Sequence, residues 1–259
     1  MQRKEKIRNF ISDAKTAWGT KWILLGGDTG IVLHRDGYRY VEGKTWKDKT
    51  IPADLYYSNL DDTWDANGNL NYGKVNDSVD LYPDVFVGRT PVDTVAETQT
   101  FVNKTLTYEK SPPSDNYTLN ILFLEEYLNG AANDGGITKD LINDSYIPDN
   151  FNITELYQRY GNLNKSSAMA KFNARCNIVN HIRHGSTGSI SVASGSIGNS
   201  DVDSLANSLE NFIFYSTSCY SNNFESDSLS EHFMNNANGG SIGYVGNSRC
   251  GWYVLQCNI

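Results

Sequence analysis

Two side chains in this sequence have the types and the spacing for nucleophilic catalysis. His184 closes the run CNIVNHIRH and is followed by Gly185 and Ser186; Cys219 follows the denser apolar run NFIFYSTS, 35 residues further on. A thiol becomes a strong nucleophile when a neighbouring base or positive field makes it a thiolate, and histidine is a natural partner. Both runs are short and bounded by turn residues, as buried parallel strands are. Ligands in open α/β sheets sit just beyond the carboxyl ends of such strands. If these two strands are neighbours, imidazole and thiol meet at one sheet edge. Cys219 would then attack a peptide carbonyl and His184 would protonate the leaving amine. Gly185, with no Cβ, lets its N–H approach a substrate oxygen closely. With the N–H of Cys219 it would hold the tetrahedral oxyanion. Glu126, at the exit of a third apolar run, is the candidate carboxylate to orient the imidazole. His181 and Arg183 alternate away from His184 on an extended strand. His181, His34 and His232 are therefore read as structural.

These residues need a sheet to hold them, and the chain supplies its parts in order. Ile7, Phe10, Ile11 and Ala14 have helical spacing over residues 3–17. Strands are expected at 21–25, 81–89, 120–124, 151–157, 176–184, 212–215 and 240–246. Helices are expected at 93–109, capped by Asp93, and at 137–144, 164–173, 201–210 and 226–236. Residues 186–204 read as a long Gly/Ser-rich loop. Gly26-Gly27-Asp28-Thr29-Gly30 lacks both the dinucleotide fingerprint and the GxxxxGKS/T loop, so it is read as a plain strand exit. Strands alternating with helices predict an α/β fold, a mostly parallel sheet with helices on both faces. The Ser111-Pro112-Pro113-Ser114-Asp115 stretch is the best linker. It suggests an N-terminal α/β subdomain over 1–112, with a candidate calcium loop, and a second, catalytic subdomain over 113–259.

Composition narrows the function classes. A net charge of −8 argues against nucleic acid as a partner, because phosphate binding needs a basic surface. No apolar stretch approaches the roughly 18 residues of a membrane span. The basic start, MQRKEKIRNF, lacks the apolar core of a signal peptide and reads as a helix cut from a longer precursor. None of the four cysteines forms a CxxC pair, which argues against zinc ribbons and thioredoxin chemistry. Cys250 and Cys257 are open to two readings, a late disulfide or two buried thiols.

The segment NLDDTWDANGNLNYG is dense in hard oxygen ligands. Asp65, Asn67 and Asn69 alternate around Gly68, with Asp61 just upstream, a pattern suited to a structural Ca2+. It departs from the EF-hand spacing, and the competing reading is a turn-rich loop held by Asx hydrogen bonds.

Taken together, WILLGGD, IPADLYYSNLDDTWDANGN, YPDVFVGRTPV, HGS and the strand entering Ser218-Cys219 resemble, in the same order, the blocks of the gingipain family of cysteine peptidases, part of the caspase-like clan. The resemblance runs from about Trp22 to Tyr253. It implies a caspase-like fold in two side-by-side subdomains and a secreted or surface endopeptidase, often calcium-bound, acting on protein or peptide substrates. It implies His184 and Cys219 as the dyad, and it implies a primary specificity pocket near residues 243–253. Trp252 and Ser218 are then the candidate substrate contacts. It also implies further domains of a longer precursor. One departure stands next to the dyad: family members often have glycine before His-Gly, where this chain has Arg183. Two other classes share these features: a catalytically weak, calcium-dependent surface or adhesion module, and a thiol acyl transferase (transpeptidase) using the same dyad.

Overall fold

A computed structural model of the chain describes residues 2–40, 47–113 and 116–251. It divides into two compact units, Met1–Asp93 and Thr94–Ile259. The expectation from the linker was a boundary near 112; helix 95–110 belongs to the second unit.

In the first unit, α1 (Arg3–Trp18) ends at Gly19, whose φ of 66° is the left-handed conformation that closes a helix and suits glycine. It is followed by β1 (Trp22–Gly26), β2 (Arg35–Tyr40), β3 (Lys47–Ala53), the short α2 (Leu55–Ser58) and β4 (Phe86–Thr90). β1 and β4 pair in parallel from Trp22↔Phe86 to Gly26↔Thr90, and β2 and β3 pair antiparallel. Ile11, Leu25, Tyr56, Tyr57, Trp64 and Val85 form the core. The apolar run expected as a strand over 81–89 pairs only from Phe86 onward. Leu81 stands at φ 63°, outside the extended region, and Asp84 instead accepts the Leu60 N–H at 2.7 Å.

The second unit opens with α3 (Val95–Lys110). Its N-cap is Thr94, not Asp93. Thr94 Oγ1 accepts the Glu97 N–H and Glu97 Oε2 accepts the Thr94 N–H, a reciprocal box that Asp93 lacks because Ala96 stands three residues after it. Then come β5 (Asn120–Glu125), α4 (Gly136–Tyr146), β6 (Asn152–Tyr157), α5 (Lys165–Phe172) and β7 (Ile178–Ile182). The Gly/Ser-rich segment expected as loop carries a small antiparallel sheet, β8 (Gly185–Ser186), β9 (Ser189–Ser191) and β10 (Ser196–Gly198). α6 (Asn199–Asp203), β11 (Phe212–Ser216), α7 (Leu229–Asn235) and β12 (Ser241–Val245) complete the unit. α6 stops well short of the expected 210. Ser208 has φ 53°, and Asn207 is tied to Glu210 and Gly240 rather than to a helical turn.

β12, β11, β7, β5 and β6 form, in that order, one parallel sheet. Alternate residues divide between two cores, as the two-residue period requires. Leu122, Leu124, Val179, Phe212 and Phe214 pack with Phe172 of α5 and Phe233 of α7. Ile121, Phe123 and Ile178 pack on the other face with Ile142 of α4. Both faces are thus covered by helices, and each fully buried large apolar side chain contributes roughly 1.5–3 kcal/mol.

Counted from β5, the order is 2-1-3-4-5, in which the chain reverses direction across the sheet between β5 and β7. Crevices at such a switch point are where α/β folds bind ligands. Glu126 leaves β5 and His184 leaves β7 at that point.

Candidate active site

β7 and β11 are neighbours, with Ser216 opposite His181 and the Thr217 N–H donating to the His181 carbonyl at 3.2 Å. Cys219 and His184 each stand three residues past that last pair, on the same edge of the sheet. β7 ends at Ile182, so alternation along the strand does not extend to His184. It stands exposed between β7 and β8, while Cys219 is half-buried. A Cβ on Gly185 would lie 2.8 Å from Ser218 Cβ, 2.9 Å from Ser218 Oγ and 3.0 Å from the Cys219 carbonyl oxygen. The exit of β7 therefore rests directly on the residues that carry the thiol, and only glycine fits there.

The turn around Cys219 is braced from the far side of β12. The Tyr220 N–H donates to the Arg249 carbonyl at 2.8 Å, and the Asn222 N–H to the Asn247 carbonyl at 3.1 Å. Asn247 Nδ2 donates to the carbonyls of Thr217 and Ser218. Cys219 Sγ lies 3.8 Å from the Gly251 carbonyl. Tyr220, next to the thiol, adopts φ 57°, a conformation that non-glycine residues reach only where the surroundings impose it. Arg249, 8% exposed, anchors this strap by donating to Asn223 Oδ1 at 2.7 Å and pairing with Glu225.

Glu126 is 1% exposed, and its Oε2 lies 3.2 Å from Arg183 Nε. Burial raises its carboxyl above the ordinary range, opposed by the Ala193 N–H, Arg183 and His184. The ion pair of Glu126 is made by the guanidinium of Arg183, next to His184. Ser218 is fully buried; its hydroxyl contacts Ser216 Oγ at 2.7 Å and donates to Ser221 Oγ at 2.8 Å. Trp252 and Cys257 lie outside the described residues. Cys176, Cys219 and Cys250 are thiols.

In the first unit the expected ligand loop is occupied by its own backbone. Asp65 accepts the N–H groups of Asn69 and Leu70 at 2.9 and 3.0 Å; Asn67 also accepts from Asn69, and Asn69 from Asn71. Asp61 is placed instead with Asp62 and Asp80, their carboxylate oxygens within 4.8 Å of one another. Asp80, 18 residues beyond Asp62, gives no local signal; its N–H donates to Asp62 Oδ2 at 3.1 Å, and its Oδ1 shares Asn59 Nδ2 with Asp61. Three carboxylates this close repel one another, and Arg8, whose guanidinium donates to the Asp62 carbonyl, offsets part of that repulsion.

No helix of the described residues is long and apolar enough to cross a membrane. Several solved structures share the fold. One, described as the structure of a protease, matches with a TM-score of 0.74 at 18% identity, over 96% of this chain and 50% of that one. The Arg-specific cysteine proteinase gingipain R (RgpB) matches with a TM-score of 0.72 at 17% identity, over 96% of this chain and 54% of that one. A complex of the pro- and mature domains of RgpB from Porphyromonas gingivalis matches with a TM-score of 0.71 at 16% identity, over 95% and 54%. The chain spans about half the length of these proteins. No curated protein matches it. The model of peptidase family C25 matches residues 1–258, and the chain belongs to that family.

Proposed function

We propose that this chain carries the cysteine-peptidase centre of a C25 endopeptidase, with Cys219 as nucleophile and His184 as general acid and base. The observation that carries this reading is the seat of Gly185 on Ser218 and Cys219, at the exits of two paired strands. In the first half-reaction the Cys219 thiolate adds to the scissile carbonyl carbon. The N–H groups of Gly185 and Cys219 take the oxyanion, and His184 gives its proton to the departing amine. In the second, His184 removes a proton from water, which attacks the thioester and releases the acid and the thiol. Arg183 is turned to Glu126, so its charge is matched by a carboxylate beside the dyad. The segment 246–251, held against the Cys219 turn, would form one wall for the residue preceding the cut.

The substrate class proposed is protein or peptide, with secretion or surface display as the setting. Ca2+ is proposed as a structural ion held by Asp61, Asp62 and Asp80; it would neutralise three converging carboxylates and take no part in the chemistry.

Labelling with an iodoacetamide probe at pH 6, followed by peptide mapping, tests the dyad. Selective reaction at Cys219, lost in Cys219→Ala and reduced in His184→Ala, is the expected result. A folded, calcium-loaded protein with no preference for Cys219 would rule out the peptidase reading and favour the binding-module reading. Added acceptor amines distinguish hydrolysis from acyl transfer by the products formed.

A further inference from the structure

Between β7 and β11 runs a buried polar chain in which the protons of His181 and Ser216 can be placed. His181 is 1% exposed, and its Nε2 lies 3.0 Å from the Ser191 carbonyl, which can only accept. Nε2 therefore carries the proton. Burial pulls this imidazole down to about 3, so it is neutral and Nδ1 is an acceptor. Nδ1 lies 2.9 Å from Ser216 Oγ, which commits the one hydroxyl proton of Ser216 to the histidine. Ser216 Oγ in turn accepts the Ser218 N–H at 3.2 Å, and it lies 2.7 Å from the Ser218 hydroxyl, which is also 2.8 Å from Ser221 Oγ. Ser216, Ser218 and Ser221 are 2%, 0% and 0% exposed. An apolar side chain would fill this position, 6.3 Å from the Phe214 ring, without the cost of burying polar groups. What an apolar residue would not do is fix a direction for the next backbone amide.

We propose that His181 is a positioning residue for the dyad: through Ser216 it fixes the Ser218 amide, and with it the surface on which Gly185 rests. The inference deepens the peptidase reading and rests on it. The chain links the two strands at their last paired residues, His181 and Ser216, each three positions before a dyad member. A shift of the Ser218–Cys219 peptide would move the thiol and one oxyanion N–H relative to His184 and Gly185 together. Misplacement by about 1 Å in such a site costs up to ~100-fold in rate.

The test compares Ser216→Ala, His181→Leu and His181→Asn with the wild type in two readouts, the iodoacetamide rate at Cys219 and kcat and KM on a peptide substrate. Ser216→Ala and His181→Leu should lower the Cys219 alkylation rate and kcat by about tenfold or more, with KM within about threefold. His181→Asn, which offers Oδ1 to the Ser216 hydroxyl, should stay within about threefold of wild type in both. Wild-type alkylation of Cys219 in Ser216→Ala, with an unchanged circular dichroism spectrum, would overturn the proposal. So would equal losses in His181→Asn and His181→Leu, which would mark a packing role alone. If His181→Leu does not fold, Ser216→Ala decides, since it removes one oxygen and leaves the imidazole in place. If the wild type cleaves no peptide, the peptidase reading fails, and the alkylation rates still decide the positioning role.

Discussion

Arg183 Nε lies 3.2 Å from Oε2 of Glu126, one residue beyond the point where β7 and β5 last pair, at Ile182 and Glu125. The cation that stands where related peptidases often have glycine is therefore turned onto a carboxylate that is almost wholly buried. Removing Arg183 leaves the buried Glu126 carboxylate with the Ala193 N–H but without its ion pair. Arg183→Gly should destabilise the protein by about 2 kcal/mol, the cost of leaving a buried charged acceptor unmatched. Glu126→Gln in the same background should recover part of that loss. Urea denaturation of the two single variants and the double variant measures the coupling; additive effects would show that the contact carries no energy.

The thiols should differ sharply in reactivity. Cys176 is 5% exposed, and burial pushes its thiol up to about 12. In folded protein at pH 8 it should resist alkylation, whereas Cys219 should react; in urea all cysteines should react. Mass spectrometry of the alkylated peptides reads this directly, and modification of Cys176 in the native state would contradict its placement in the core.

The buried His181 makes stability depend on pH in one direction. Its folded value of about 3 lies below the ordinary 6.5, so between these values the unfolded chain binds a proton that the folded chain refuses. Stability from this group is complete above about pH 6.5 and is lost as pH falls toward 3. His181→Asn should flatten the decline between pH 6.5 and 4 relative to wild type. Paired denaturation curves at each pH isolate this contribution, because Glu125, which burial raises to about 7, is present in both proteins. Parallel pH profiles would mean that the histidine is not neutral in the fold.

Lys104 closes the carboxyl end of α7. Its Nζ donates to the carbonyls of Phe233, Met234, Asn236 and Gly239 at 3.2, 3.0, 3.3 and 2.7 Å. Burial pulls its ammonium down to about 7. The carbonyls and the negative end of the helix favour the charged form. Lys104→Met should cost about 3 kcal/mol, since several buried acceptors lose their donor at once. A change of less than about 0.5 kcal/mol in the urea midpoint analysis, the usual range for surface substitutions, would contradict this capping role.

Calcium binding should follow the carboxylate cluster rather than the Asx loop. Asp80→Asn should weaken Ca2+ binding by about tenfold or more in isothermal titration, because ligand charge sets the affinity of such sites. Asp65→Asn should leave Ca2+ affinity nearly unchanged and act on loop stability alone. The opposite ranking would move the ion to the loop of Asp65, Asn67 and Asn69.

Much of this protein is legible in local patterns. The apolar runs 120–124 and 212–215, the helix expected from Asn164 and the helical spacing of Ile7, Phe10, Ile11 and Ala14 are properties of adjacent residues, and strands and helices form on each of them. The placement of His184-Gly185 and Cys219 just past strand ends was legible too, because each follows a strand-like run. Local patterns do not report which strands become neighbours, or in what register. Only the tertiary structure sets Ser216 opposite His181, brings Asp80 to Asp61 and Asp62, and turns Arg183 onto Glu126. The helix cap and the strand alternation arise within a few residues of one another along the backbone. These other contacts join residues 18 to 57 positions apart, and they form only when the order of strands in the sheet and the folding of the loops bring them together.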